Sequence, residues 1–189
     1  KKLKAKHFEL CRINAVNRQL AINEDANHLR SLGDVFITEP KNASKLMKRV
    51  KETTKNDKGK FNSKKRFGKS IKNRCPSGFQ TTVENKFKTT GGTYIEVPNN
   101  YRASQYDHTA DDYIKKKLSD RMYALTDGTL VQRDWYSSFL LYCYDFKTKD
   151  IDKNKCNSEF KSCYNKETVL IEWIKTNKIK VLNSGIKIA

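Results

Sequence analysis

Apolar positions recur at helical spacing over residues 7–32, where Phe8, Cys11, Ala15, Leu20, Ala26 and Leu29 form an approximate face with Lys and Arg set between them. Gly33 stops that pattern. The run Val35-Phe36-Ile37-Thr38 that follows is short, apolar and rich in β-formers, so it predicts a buried strand closed by Glu39 and Pro40. Glu39 then stands at the carboxyl end of a strand, where open α/β sheets collect functional residues; a strand-end Glu that merely faces solvent is the other reading.

From Pro76 the helical period returns. Phe79, Val83 and Phe87 fall on one face, Gly91-Gly92 breaks the helix, and residues 93–97 predict a strand ended by Pro98. Residues 99–121 are polar and predict a loop; Ser104, Gln105, Tyr106, Asp107 and His108 are chemically rich, whereas Asp111 and Asp112 look exposed. The turn signal Asp127-Gly128 and Val131 precede Trp135, Ser138, Phe139 and Tyr142 at helical spacing, so Asp134 is expected to open an apolar-faced helix. An acid there either caps an amide and suits the helix dipole, or binds a metal together with carboxylates from elsewhere. In the tail, 145–189, a helix is predicted over residues 167–175 on Val169, Leu170, Trp173 and Ile174, packing as a terminal appendage. No internal repeat is present.

Charge changes the picture most. The chain of 189 residues holds 39 Lys and Arg against 21 Asp and Glu, a net +18, and such an excess points to a polyanionic partner, nucleic acid first. Residues 41–74 carry fourteen of the basic residues against Glu52 and Asp57, interleaved with Phe61, Phe67, Gly59 and Gly68. That mixture suits a partly irregular segment laid along phosphates, and the alternative is a solvated charged loop. Lys60, Ser63, Lys64, Lys65, Arg66, Lys69, Lys72 and Arg74, with Gln105 outside the segment, are the expected nucleic-acid contacts.

Other classes recede. No apolar run approaches the roughly 18 residues of a spanning helix and no signal peptide is visible, so no membrane partner and an intracellular, soluble chain are expected. Cys11, Cys75, Cys143, Cys156 and Cys163 are odd in number and contain no CxxC, and His7, His28 and His108 are scattered, so neither a disulfide framework nor a zinc site is expected. The length allows one domain, or one domain with an extended arm. Because the first residue is Lys1 and not Met, a fragment of a longer protein or a processed chain is expected.

The succession LRSLGDVFITE, KFNSKKRFGKSI, GGTYIEVPNNYRASQYDH, KKKLSDR, DGTLVQRDWYSSFLL and DIDKNKC resembles, in order and over nearly all 189 residues, the C-terminal half of TnpB-type proteins of bacterial insertion sequences. It is most similar to the branch reading SQYNH and QRDLYSAFL at these places. The resemblance implies an α/β fold with an RNase H-like (RuvC) nuclease core, related to type V CRISPR effectors, that cuts target DNA under a transposon-derived guide RNA in the bacterial cytoplasm, at the nucleoid. It also implies that Glu39 and Asp134 are the acids of the second and third RuvC motifs and ligands of magnesium.

The sequence departs from the family twice. Tyr106 stands where the first cysteine of a zinc ribbon is expected, and the family's first acid lies in a strand upstream of the long helix, a motif these residues do not contain. A two-metal site needs an acid bridging its ions, so Glu39 and Asp134 alone would hold metal weakly. The expectation is therefore a partial core over residues 1–142 lacking its leading strands, with 41–74 as a basic inserted segment and 143–189 as an appendage. A truncated or decayed copy that binds RNA or DNA without cutting is the alternative. A generic basic RNA-associated protein would leave the two acids at motif positions unexplained.

Overall fold

The computed structural model describes residues 2–40, 42–43, 55, 57–60, 71, 73–117 and 119–188. It is mixed α/β, as expected at that coarse level, and it divides into two compact units, residues 1–36 with 40–96 and residues 37–39 with 97–189. Among the described residues no helix is long and apolar enough to cross a membrane.

A long helix, α1 (Lys2–Leu32), runs into a short strand, β1 (Val35–Thr38), whose first two residues belong to the first unit and whose last two belong to the second; α2 (Pro76–Thr89) and β2 (Thr93–Glu96) of the first unit follow. Ala26 of α1 and Val83 and Phe87 of α2 are almost fully buried against each other, with Leu29, Phe36, Phe79 and Tyr94 packed around them. The Phe36 ring lies between those of Phe87 and Tyr94, at 5.6 and 5.7 Å. Only the C-terminal third of the predicted apolar face of α1 is used. Ala26 is buried and Leu29 half-buried, but Phe8 and Leu20 stay exposed, because α2 meets α1 only toward its C-terminal end.

The amide of Thr93 donates to the Asp34 carbonyl at 2.7 Å and that of Val97 to the Thr38 carbonyl at 2.9 Å. Partners thus advance together along both strands, so β1 and β2 run parallel with α2 in the crossover, as a βαβ unit requires. Arg30 fastens the turns at its base, its Nε donating to Thr90 Oγ1 at 2.8 Å and its Nη1 to Asp34 Oδ1 at 2.7 Å. Gly92 is required there, since a Cβ would stand 2.9 Å from Phe87 Cδ1 and 3.1 Å from both Arg30 Nε and the Asp34 carbonyl oxygen.

The second unit is built from hairpins around two helices. β3 (Tyr106–Asp107) pairs with β4 (Asp112–Tyr113), β5 (Met122–Ala124) with β6 (Leu130–Gln132), and β7 (Tyr144–Asp145) with β8 (Asp150–Ile151), each antiparallel. The turn between β5 and β6 uses Gly128 at φ +87°, a left-handed conformation that glycine adopts without strain, and Asp127 Oδ1 accepts the Thr129 amide at 2.9 Å. α3 (Arg133–Tyr142) follows β6 directly, and α4 (Lys153–Thr176) begins where Asp152 accepts the Lys155 amide. Phe160 of α4 packs its ring on Trp135, Tyr136 and Phe139 of α3 at 6.4, 6.2 and 5.5 Å.

Two local expectations change. The tail helix begins at Lys153, fourteen residues before the predicted start, because an Asp cap and an inward face of buried Cys156 and Glu167 with half-buried Phe160 carry it through a lysine-rich stretch. Residues 99–121 are not simply a loop: Ala103, Tyr106, Asp107 and His108 are buried, and a 3₁₀ turn (Ala103–Gln105) leads into the β3–β4 hairpin.

Candidate functional site

Asp134 sits in the first turn of α3, but it is not the cap. Gln132 caps the helix, its Oε1 accepting the Trp135 amide at 2.6 Å, which leaves the Asp134 carboxylate free to face outward. Its side chain is 62% exposed, and Oδ1 accepts from Arg133 Nε and Nη2, both at 3.1 Å. Arg121 Nη1 stands 3.9 Å from Oδ2, and the Arg133 amide donates to the Arg121 carbonyl at 2.9 Å, so the backbone holds both arginines at this helix start. One carboxylate thus faces two guanidiniums beside the positive end of a helix. Such a place stabilises negative charge and presents forked donors that match a phosphate.

Glu39 follows the last residue of β1 and is half-buried; it belongs to the same compact unit as Asp134. Carboxylate oxygens are hard donors of the kind magnesium prefers, and the exposure of Asp134 leaves its lone pairs reachable, with Arg133 as the competitor. Among the described residues no group of three or more His, Cys, Asp or Glu side chains is gathered as a metal cage.

Of the expected nucleic-acid contacts, Lys60 and Arg74 are exposed and Gln105 is half-buried in the 3₁₀ turn, where its carbonyl accepts the Ile114 amide at 2.7 Å. Ser63, Lys64, Lys65, Arg66, Lys69 and Lys72 lie outside the described residues.

Asp107 and His108, chemically rich in sequence but expected in a loop, belong to a buried polar cluster next to α3. Asp107, 1% exposed, accepts four hydrogen bonds, from the Thr109 amide and hydroxyl at 3.0 and 2.7 Å and from the Thr126 amide and hydroxyl at 2.9 and 3.0 Å. Burial pushes its carboxyl up, but these bonds together outweigh burial and hold it below the usual carboxylate range. The Tyr136 hydroxyl accepts the His108 amide at 3.1 Å and lies 2.8 Å from His108 Nδ1; burial lowers that imidazole, against the pull of Asp107 and Asp127, which favours its neutral form.

Lys116 Nζ lies 3.7 Å from the centroid of the Tyr123 ring and 5.5 Å from that of Tyr136, and burial lowers its ammonium despite Asp107. Among the described residues neither Lys116 Nζ nor Tyr123 Oη, both buried, has a hydrogen-bond partner. The cluster braces the segment before α3 against the aromatic core. The motif Asp107-His108-Thr109 was its one signal in sequence, an Asx turn in which the acid bonds the amide two residues on.

No protein-family model matches this chain, and comparison with curated proteins finds no match either.

Proposed function

We propose that this chain is the nucleic-acid-binding, RuvC-bearing part of a transposon-encoded, RNA-guided DNA endonuclease of the TnpB type, with an RNase H-like core. What carries the reading is the placement of two acids within one compact unit: Glu39 directly after a strand of a parallel βαβ pair, and Asp134 in the first turn of the helix after β6. The net charge of +18 supports a polyanionic partner, and guide RNA and target DNA are the partners proposed. Glu39 and Asp134 would hold magnesium, which when bound supplies Lewis-acid stabilisation of charge on the phosphate. Arg121 and Arg133 would orient that phosphate through their N–H forks.

Binding without cutting is the second reading, and the contact of Asp134 with Arg133 favours it, since an ion would have to compete with a guanidinium for the same oxygen. Plasmid cleavage by the gene product that carries this chain, with matched guide RNA and a magnesium titration, separates the two. The nuclease reading expects cutting that Glu39→Ala abolishes while RNA binding persists. Binding without cutting at any magnesium concentration would leave only the second. If RNA and DNA do not bind, or if binding is indifferent to salt, both are overturned, because each neutralised phosphate should contribute about −0.7 to −0.9 to the log–log salt slope.

A further inference from the structure

We propose that the cleft between α1 and α2 is a subsite for one nucleotide of a bound single strand, with carboxamides reading the base edge and Lys86 taking the phosphate. The cleft holds about 370 Å³, within the size range of small-ligand sites. Ala26, almost fully buried, lines its floor, and its walls are Asn23 and Asn27 of α1 and Thr82, Asn85 and Lys86 of α2. Asn23 and Asn27 lie four residues apart, and so share one face of α1.

Among the described residues the lining is all hydrogen-bonding or cationic apart from that floor, and none of it is acidic. Asn23 Oδ1 already accepts from Gln19 Nε2 at 3.1 Å, which leaves its amide protons to give. Among the described residues the Asn27 and Asn85 carboxamides form no hydrogen bond and Lys86 Nζ forms no ion pair. The cleft therefore presents donors and acceptors together with one cation. A carboxamide carries a donor and an acceptor side by side and pairs with a base edge through both, while an ammonium is a point-charge partner for phosphate. A nucleotide supplies both halves in one ligand, and a chain of net +18 meets nucleotides on polyanions.

The subsite rests on the nucleic-acid reading above, and the test separates the two. A fluorescein-labelled adenine decamer, in RNA and DNA forms, is titrated by anisotropy against the chain and against Asn27→Ala/Asn85→Ala and Lys86→Ala, at several salt concentrations. Alanine raises helix propensity at such positions, so the variants should fold. The double variant is expected to weaken binding about tenfold with the salt slope unchanged. Lys86→Ala is expected to reduce that slope by about 0.7 to 0.9.

An 8-azidoadenine decamer crosslinked to the unaltered chain locates the base directly, and the adduct is expected on peptides covering residues 19–30 or 80–90. Tighter binding of the RNA form would add the ribose hydroxyl to the recognised groups, and equal binding would restrict them to base and phosphate. If the decamer binds but crosslinks elsewhere and the double variant binds unchanged, the subsite is overturned and the nucleic-acid reading stands. If neither decamer binds at any salt concentration, both fall.

Discussion

Glu167 reaches across 35 positions of sequence to accept the backbone N–H of Gln132 at 3.2 Å, joining the middle of α4 to the residue that caps α3. Gln132 in turn donates from Nε2 to the Ser184 carbonyl at 3.3 Å, so one buried amide side chain ties the α3 cap to the C-terminal segment. Glu167 is only 5% exposed, and burial pushes its carboxyl up from 4.5 to about 7, against the Gln132 amide, which pulls it down.

That shift makes α4 docking sensitive to pH. Between about 4.5 and about 7 the folded chain keeps a proton on Glu167 that the unfolded chain has released, so stability from this group falls as pH rises through that window. The full span corresponds to about 3 kcal/mol. Glu167→Gln retains an acceptor for the Gln132 amide and cannot ionise, so it should be more stable than the unaltered chain at pH 8 and nearly equal to it at pH 4.5. Urea titrations at both values measure the difference, and a difference that does not change with pH would refute the assignment.

Asp107 has the opposite sign. Its folded carboxyl lies below the ordinary value, so its stabilisation is present at neutral pH and is lost as pH falls below about 4. Asp107→Asn replaces one acceptor oxygen with an NH₂ facing donors from Thr109 or Thr126, and should cost about 3 kcal/mol at pH 7. The gap between the two proteins should narrow as pH falls below about 4, where the unfolded carboxylate takes up a proton before the folded one does. A gap that does not narrow between about pH 5 and pH 3 would mean that shape and not charge holds this turn.

The contrast between these two acids shows where sequence reading stopped. Gly33 and Gly91-Gly92 punctuate the chain by local backbone geometry, and α1 and α2 end and β2 begins within a residue or two of these stops, whereas α1 starts five residues before its predicted start and the β5–β6 hairpin around Asp127-Gly128 was expected only as a turn. Local chemistry is legible because neighbours in sequence decide it. Burial of Asp107, His108 and Glu167 is decided by Thr126, Tyr136 and Gln132, which lie 19, 28 and 35 positions away, so the local Asx turn at Asp107 marks a turn but not its burial. The start of α4 was missed for a related reason: its inward face carries Cys156, Phe160 and Glu167 among lysines, which weakens the hydrophobic period. Likewise the cap of α3 falls to Gln132, a residue type outside the usual capping set, and not to the acid two positions later.

Gly92 should tolerate no side chain. Its virtual Cβ is closest to Phe87 Cδ1, a ring almost fully buried in the α1–α2 core, and to the Asp34 carbonyl that pairs with Thr93. Neither can retreat cheaply. Gly92→Ala is expected to cost about 1–3 kcal/mol, the usual range for overpacking, whereas Gly33→Ala, with nothing within 4 Å of its Cβ, should cost much less. Thermal melts of both variants check this, and equal losses would argue against the close approach at Gly92.

Asp134 is the position where stability and proposed activity part most cleanly. Its carboxylate is mostly solvent-facing and does not cap α3, so Asp134→Ala removes a favourable acid from a helix start at a cost of about 0.3–1 kcal/mol. Its exposed pairing with Arg133 adds little, because solvent screens it. The variant should therefore fold, and with two guanidiniums no longer offset it should bind RNA as well as the unaltered chain or somewhat better. Guided cleavage by the gene product should behave in the opposite way. If Asp134 holds magnesium at the scissile phosphate, losing it removes charge stabilisation in the transition state, and every ~1.4 kcal/mol removed is a factor of ten in rate. The decisive comparison is circular dichroism, RNA binding and plasmid cleavage on the same preparations of the Asp134→Ala protein. Intact fold and binding with cleavage gone is the expected pattern. Cleavage that survives would sink the RuvC reading, and a lost fold would make Asp134 a structural residue of α3 instead of a metal ligand.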